Sequence, residues 1–253
     1  MSQIHLAAQS DQPEVVGLFL QKQPSLVTTT TKDGNTSAHI AAKKGSVRVL
    51  EELLKFDKSI VTTNRNRITD STPLHVATEG GHTDVVKLLL SCGASPLDEN
   101  KSGMTPVHLA ARFGHSAVIS EFVKQNISLR NLSRKLGMTA LHVAAFYGEE
   151  DIVRELMRHV PPSVKSEVRV ADKSRLSLLS SPWQIPTAQA QSLVRELSTE
   201  GGLTPLHLAA YSGSENVVRG LLNSPAVQVG QHLTPCRSSD WSCNLSLFYK
   251  NSS

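Results

Sequence analysis

A four-residue frame, threonine–x–x–histidine, returns along this chain at nearly constant spacing. It reads Thr72-Pro73-Leu74-His75, Thr105-Pro106-Val107-His108, Thr139-Ala140-Leu141-His142 and Thr204-Pro205-Leu206-His207. A weaker copy is Thr36-Ser37-Ala38-His39, and Ile4-His5-Leu6-Ala7-Ala8 looks like one that has lost its beginning. The histidines His5, His39, His75, His108, His142 and His207 are separated by 34, 36, 33, 34 and 65 residues. A period of this length marks a repeat architecture, in which one small unit is copied and each copy contacts only its neighbours. Length then counts units and not domains.

The rest of each unit follows a fixed order. Small residues come after the frame: Ala41-Ala42, Ala77, Ala110-Ala111, Ala144-Ala145 and Ala209-Ala210. A glycine comes next, at Gly45, Gly80-Gly81, Gly114, Gly148 and Gly213. Then an apolar stripe runs at helical spacing, as in Val85, Val86, Leu88, Leu89 and Leu90, or Ile152, Val153, Leu156 and Met157, or Val217, Val218, Leu221 and Leu222. Threonine is a good helix N-cap, and proline fits the first turn, where its missing N–H costs nothing. Alanine lets a neighbouring helix approach closely, and glycine ends the helix in a left-handed conformation. Each unit is therefore predicted to be a helical hairpin with an apolar face that it cannot bury alone. The fold class is all-α.

Thr-Pro-Leu-His, Ala-Ala, Gly-His and Val-Val-x-x-Leu-Leu in that order resemble the ankyrin repeat, whose signature includes T-P-L-H-x-A on a period of 33. The resemblance covers about residues 4 to 229, with five copies and a sixth partial one. It implies a solenoid of about six helix-turn-helix units. The structural motif residues are then Thr72, Pro73, His75, Thr105, Pro106, His108, Thr139, His142, Thr204, Pro205 and His207. Glycine stands two before the threonine at Gly34, Gly103, Gly137 and Gly202, where this family makes a tight turn; Asp70 takes that place in the third unit. The step into that unit is three residues longer than 33, so its turn is expected to be enlarged around Asn64-Arg65-Asn66-Arg67.

The 65-residue step exceeds one period by 32 residues. The surplus falls after His159-Val160, where Pro161-Pro162 stops the helix. Residues 161–201 are rich in serine and are expected to be an inserted, mostly irregular loop between repeats at 1–160 and a further repeat at 202–229. The alternative is a degenerate repeat built on a short helix at Ala188–Leu197. Residues 230–253 lose the pattern, and Thr234-Pro235 there is read as chance. This tail is expected to be disordered or artefactual. Neither end shows a polar capping repeat, so the expectation is a piece of a longer array.

Several blocks resemble one particular array, that of the TRPN (NompC-type) mechanosensory transient receptor potential channels. They are Lys32-Asp33-Gly34-Asn35-Thr36, Glu51-Glu52-Leu53-Leu54-Lys55-Phe56-Asp57, Lys135-Leu136-Gly137-Met138-Thr139, Pro161-Pro162-Ser163-Val164-Lys165-Ser166-Glu167 and Glu215-Asn216-Val217-Val218-Arg219. The insertion is the most specific of these features, because a generic repeat consensus does not produce it. The resemblance implies a segment of a long cytoplasmic spring that ties a homotetrameric plasma-membrane cation channel to microtubules. Neighbouring repeats of the parent chain would be its nearest partners. The family's linker, membrane helices and pore are absent from these 253 residues.

The residues themselves offer little chemistry. The framed histidines sit a whole repeat apart and cannot converge on one ion, so no metal is expected. No G-x-S-x-G, phosphate-cradling glycine loop or paired-cysteine site appears, so neither an enzyme nor a cofactor is expected. The three cysteines, Cys92, Cys236 and Cys243, give no disulfide framework. No run is apolar enough to span a bilayer, and a net charge of +4 does not point to nucleic acid. Ser181-Pro182, in the insertion, is the better candidate for proline-directed phosphorylation than the capping threonines. One pattern points outward: Lys32, Arg67, Lys101 and Lys135, flanked by Arg65 and Arg134, recur at the turn tips. Stacking would align them as a basic ladder facing an acidic partner, such as a microtubule or an anionic lipid leaflet. The competing expectation to a channel tether is a stand-alone cytosolic adaptor that binds one protein.

Overall fold

The computed structural model describes residues 1–125, 127, 138–158 and 205–223. The chain divides into two compact units, Met1–Lys135 and Leu136–Ser253. The expected insertion at 161–201, the tail at 230–253, Lys135, Gly137, Gly202 and Thr204 lie outside the described residues.

In the first unit four helical hairpins follow one another. They are α1 (Gln3–Gln9) with α2 (Pro13–Lys22), α3 (Ser37–Lys44) with α4 (Val47–Phe56), α6 (Pro73–Glu79) with α7 (Thr83–Ser91), and α8 (Pro106–Arg112) with α9 (Ser116–Lys124). A short helix α5 (Lys58–Thr63) and a 3-10 turn at Pro24–Thr28 fill two of the connections. The second unit holds α10 (Ala140–Tyr147) with α11 (Glu150–Arg158), and α12 (Pro205–Tyr211) with α13 (Glu215–Asn223). There is no strand among the described residues, and the fold is an all-α repeat solenoid.

First helices pack on first helices and second on second, so α3 lies between α1 and α6, and α2 lies against α4. The alanines Ala41, Ala42, Ala77, Ala110 and Ala111 are fully buried in this close approach. The wider gap to the second helices is filled by Val49, Leu50 and Leu53, by Val85, Val86 and Leu89, and by Val118, Ile119 and Phe122, also fully buried. Each such aliphatic side chain contributes about 1.5–3 kcal/mol relative to exposure. In α1 and α2, Leu6 and Leu18 stay exposed; Leu109, which stands where Leu6 does in its frame, is buried.

The sixth residue after each framed histidine takes a positive φ: Gly45, Gly81, Gly114, Gly148, Gly213 and, in the first unit of the series, Asp11. At Gly45 and Gly81 more than φ demands glycine. A Cβ would lie 2.7 Å from the imidazole of His82 and of His115 respectively, the histidines of the next repeat.

The long step into the third repeat resolves into two parts. From Gly45 to the turn start at Asn66 is 21 residues, against 19 from Gly81 to Asn100, so two of the three extra residues precede the turn, in the connection that forms α5. The turn itself closes by Asn66 N–H donating to the Ser71 carbonyl, one residue wider than the Thr31–Asn35 and Asn100–Met104 closures. The enlargement expected around 64–67 is therefore shared between the turn and the connection at Lys58–Thr63, which is helical although four of its six residues are β-branched.

Candidate functional site

Thr72 sits at the N-cap of α6 with φ −83° and ψ 167°, and Thr36, Thr105 and Thr139 repeat that geometry. Three residues on, each histidine turns back to its cap. The Thr72 N–H donates to His75 Nδ1 at 3.2 Å, and the Thr72 hydroxyl lies 2.8 Å from the same nitrogen. Because an N–H points at it, Nδ1 is the acceptor and the proton sits on Nε2. Nε2 then donates to the Met104 carbonyl of the next repeat at 3.2 Å. His39 does the same to Ser71 at 2.9 Å. His108 and His142 accept from Thr105 and Thr139 N–H at 3.3 Å each. Pro73, Pro106 and Pro205 are buried at the first helical position. His207 lies on α12.

The cap also forms in the first copy, which lacks the threonine and the proline. Ser2 takes the threonine's place, its N–H donating to His5 Nδ1 at 3.1 Å, and His5 Nε2 reaches the Thr29 carbonyl at 3.1 Å. Ser2-Gln3-Ile4-His5 carries the same hydroxyl–x–x–histidine spacing, which was the available signal.

A second set of histidines reaches backward. His82 Nε2 donates to the Lys43 carbonyl at 2.9 Å, and His115 Nε2 to the Glu79 carbonyl at 2.9 Å. Successive repeats are thus joined in both directions by imidazole-to-carbonyl bonds. Burial holds the pKa of His39 and His5 below the usual histidine value of 6.5. Burial also takes His75 down to about 4, with the Arg65 guanidinium adding to the effect. These imidazoles are neutral at pH 7, and their nitrogens are spent on the backbone. Among the described residues no group of three histidine, cysteine, aspartate or glutamate side chains is placed to hold a metal.

The turn tips form the other candidate surface. Neighbouring turns are linked through the backbone: Arg67 N–H donates to the Asp33 carbonyl at 3.2 Å, and Lys101 N–H to the Thr69 carbonyl at 2.8 Å. Lys32, Arg67 and Lys101 are thereby brought to one edge of the first unit, all exposed. Lys135 lies outside the described residues. Arg65, although exposed, is paired within the turns, with Nη1 3.2 Å from Asp70 Oδ2 and Nη2 3.0 Å from Asp98 Oδ2, and it also donates to the Asp70 carbonyl at 3.1 Å and the Glu99 carbonyl at 2.8 Å. Asp33 is exposed beside Lys32, so acidic groups interleave with the basic ones along this edge. Asparagines scaffold these turns, a role that their place in the sequence does not announce. Asn66 Oδ1 accepts from Thr69 N–H at 2.9 Å, and Asn100 Oδ1 accepts from Met104 N–H at 3.0 Å.

Sequence comparison decides the family. Models described as ankyrin repeats match residues 4–100 and 90–167 (three copies) and residues 201–229. The chain belongs to the ankyrin-repeat family. It is 35% identical over 108 residues to a transient receptor potential cation channel subfamily A member 1 homolog of Caenorhabditis elegans, which covers 39% of this chain and 9% of the relative. It is 30% identical over 146 residues to the Drosophila melanogaster subfamily A member 1 channel, covering 52% and 12%. It is also 35% identical over 112 residues to the probable E3 ubiquitin-protein ligase XBOS31 of Oryza sativa, covering 44% and 24%. The chain therefore spans about a tenth of the length of the two channels. The ankyrin array is a protein-interaction module, and no helix among the described residues is long and apolar enough to cross a membrane.

Proposed function

We propose that this ankyrin array is a segment of the cytoplasmic tether of a TRPN-type mechanosensitive cation channel of the plasma membrane, and that it acts without catalysis. The observation that carries the proposal is the repeated neighbour-to-neighbour linkage in the first unit. His39 and His75 reach forward, His82 and His115 reach back, and adjacent turns share backbone bonds. A stack held by equivalent links in series deforms by small increments at each interface. The similarity to transient receptor potential channels supports the channel setting. Residues 161–201 then form an insertion between repeats at 1–160 and 202–229, and 230–253 lie outside the array.

Pulling single molecules from both ends tests the tether. Stepwise extension, repeat by repeat, with refolding on relaxation is expected. One cooperative rupture without refolding would sink the proposal. We further place a partner surface on Lys32, Arg67, Lys101 and Lys135, directed at an acidic surface such as the microtubule exterior. Reversing all four charges should reduce salt-sensitive cosedimentation with microtubules, and unchanged cosedimentation refutes that surface. The similarity to XBOS31, named a probable E3 ubiquitin-protein ligase, supports a second reading as a stand-alone adaptor binding one protein. Hydrophobic spans in the parent reading frame would separate the two.

A further inference from the structure

Imidazoles tie the second repeat to the third, and the third to the fourth, in both directions. His39 and His75 bond forward to the Ser71 and Met104 carbonyls, and His82 and His115 bond backward to the Lys43 and Glu79 carbonyls. Between the first and second repeats, among the described residues, a single imidazole bond is made, forward from His5 Nε2 to the Thr29 carbonyl at 3.1 Å. Ser46 stands at the place of the backward histidine, seven residues past His39 as His82 is seven past His75. Its backbone has the same shape, φ −81° and ψ 85° against −80° and 79° at His82 and −84° and 76° at His115. The buried serine side chain is too short to span the gap that an imidazole spans.

The residue facing this position has changed with it. Gly45 and Gly81 leave room for the rings of His82 and His115, since a Cβ at either would lie 2.7 Å from the imidazole. The matching place in the first repeat holds Asp11, at φ 51°. Its Cβ would stand in the way of a ring at position 46. Glycine with histidine, and aspartate with serine, are therefore coupled choices: the second pair removes the latch and fills the space it needs. The second unit shows what serine does at this place. The Ser214 hydroxyl lies 2.9 Å from the Ser212 hydroxyl, in its own repeat. The Arg48–Glu14 ion pair does span the first junction, but with side chains 75% and 73% exposed it adds little.

We propose that the junction between the first and second repeats is a built-in opening point, where α1–α2 part from α3–α4 while the second, third and fourth repeats stay joined. The apolar faces still meet there, so the junction is closed at rest; what it lacks is the second polar bond that resists parting. Proteins open locally where the least stabilisation must be given up. Opening uncovers the side of α3 that packs on α1. The latch acts in solution without load and does not depend on the tether reading.

Amide exchange of the native 253-residue chain, followed separately in each hairpin, tests this by moving the latch. In the unsubstituted chain α1–α2 should exchange fastest of the four hairpins in the first unit. Asp11→Gly is the reference, because it removes the positive-φ cost without adding a bond. Adding Ser46→His to it should slow exchange in α1–α2 roughly fivefold further, the effect of one neutral hydrogen bond. Ser46→His with Asp11 in place should give no slowing. In the converse measurement, His82→Ser should quicken exchange in α3–α4 roughly fivefold and leave α6–α9 unchanged. No further slowing in the double variant overturns the opening point, and equal slowing with Asp11 present overturns the coupling. Quickening of all four hairpins alike by His82→Ser also overturns it, since the bond would then support the stack as a whole.

Discussion

The turn before α3 and the turn before α6 deliver the same cap by different means. At Thr31–Asn35 the backbone does the work: Gly34 takes φ 80° and the next turn lies so close that a Cβ would meet the Arg67 backbone N–H and approach its Cβ to 2.6 Å. At Asn66–Ser71 side chains do it. Asp70 occupies the positive-φ position at 55°, Asn66 Oδ1 gathers the Thr69 and Ser71 N–H groups, and Arg65 ties the turn to Asp98. Both end with threonine in the same extended conformation, ψ 171° at Thr36 and 167° at Thr72. The threonine–histidine cap is thus the invariant, and the turn that leads to it is negotiable wherever the neighbouring turn leaves room.

The largest expected effect comes from exchanging these solutions. Gly34→Ala combines positive-φ strain with a backbone collision and should destabilise by about 3 kcal/mol. Asp70→Gly relieves the αL cost but gives up a half-exposed ion pair, so it should change stability by less than about 1 kcal/mol. Urea unfolding of both variants measures this directly. Similar losses would break the comparison.

Acid should act on what the two turns share. His39 and His75 have pKa values lowered from 6.5, the latter to about 4, so the folded state binds fewer protons than the unfolded one. Stability is therefore complete above about pH 6.5 and declines as pH falls through that value toward 4. His75 alone accounts for a loss on the order of 3 kcal/mol by pH 4. The geometry gives the reason, since a proton added to Nδ1 would face the Thr72 N–H that now donates to it. Unfolding midpoints between pH 7 and 4 should drop steeply, and His75→Gln should flatten the curve. A flat curve in the unsubstituted protein contradicts the assignment.

A smaller effect isolates the side-chain route. Arg65→Met removes two ion pairs and two carbonyl contacts around Asp70 and Asp98 and should cost about 1 kcal/mol, since these groups are partly exposed. Amide exchange should quicken at residues 66–71 and stay unchanged at 31–35. Equal acceleration in both turns would mean that Arg65 supports the stack in general.

How much of this the sequence discloses follows from the range of each interaction. The cap spans three residues and repeats every 33 or so, so Thr72–His75 announces both a helix start and a fold. The glycine at the sixth position is equally local, though Asp11 shows that another residue tolerant of positive φ can stand there. The histidine-to-carbonyl bonds cross 24 to 39 residues and were legible only as the expectation that framed histidines are structural. Arg65 was less legible still. Its position placed it beside the ladder, and its pairing depends on Asp98 approaching from the following turn. The aromatic stack of Phe146 and Tyr211 joins two helices separated by the insertion, a pairing no local pattern records.

The first residue of α3 sharpens the comparison most finely. Proline stands there in α6 and α8, whereas α3 has Ser37, whose buried hydroxyl finds no hydrogen-bond partner. Ser37→Pro removes that unsatisfied group and restricts the unfolded chain. Thr36 before it is already extended, the conformation a following proline requires, and a first-turn N–H has no helical acceptor to lose. The two terms together should raise stability by about 1 kcal/mol. If the turn before α3 is as tightly set by backbone contact as Gly34 implies, the gain appears in full in the urea midpoint. If Ser37→Pro destabilises instead, the residue at this position is coupled to its turn, and the two routes to the cap are not interchangeable.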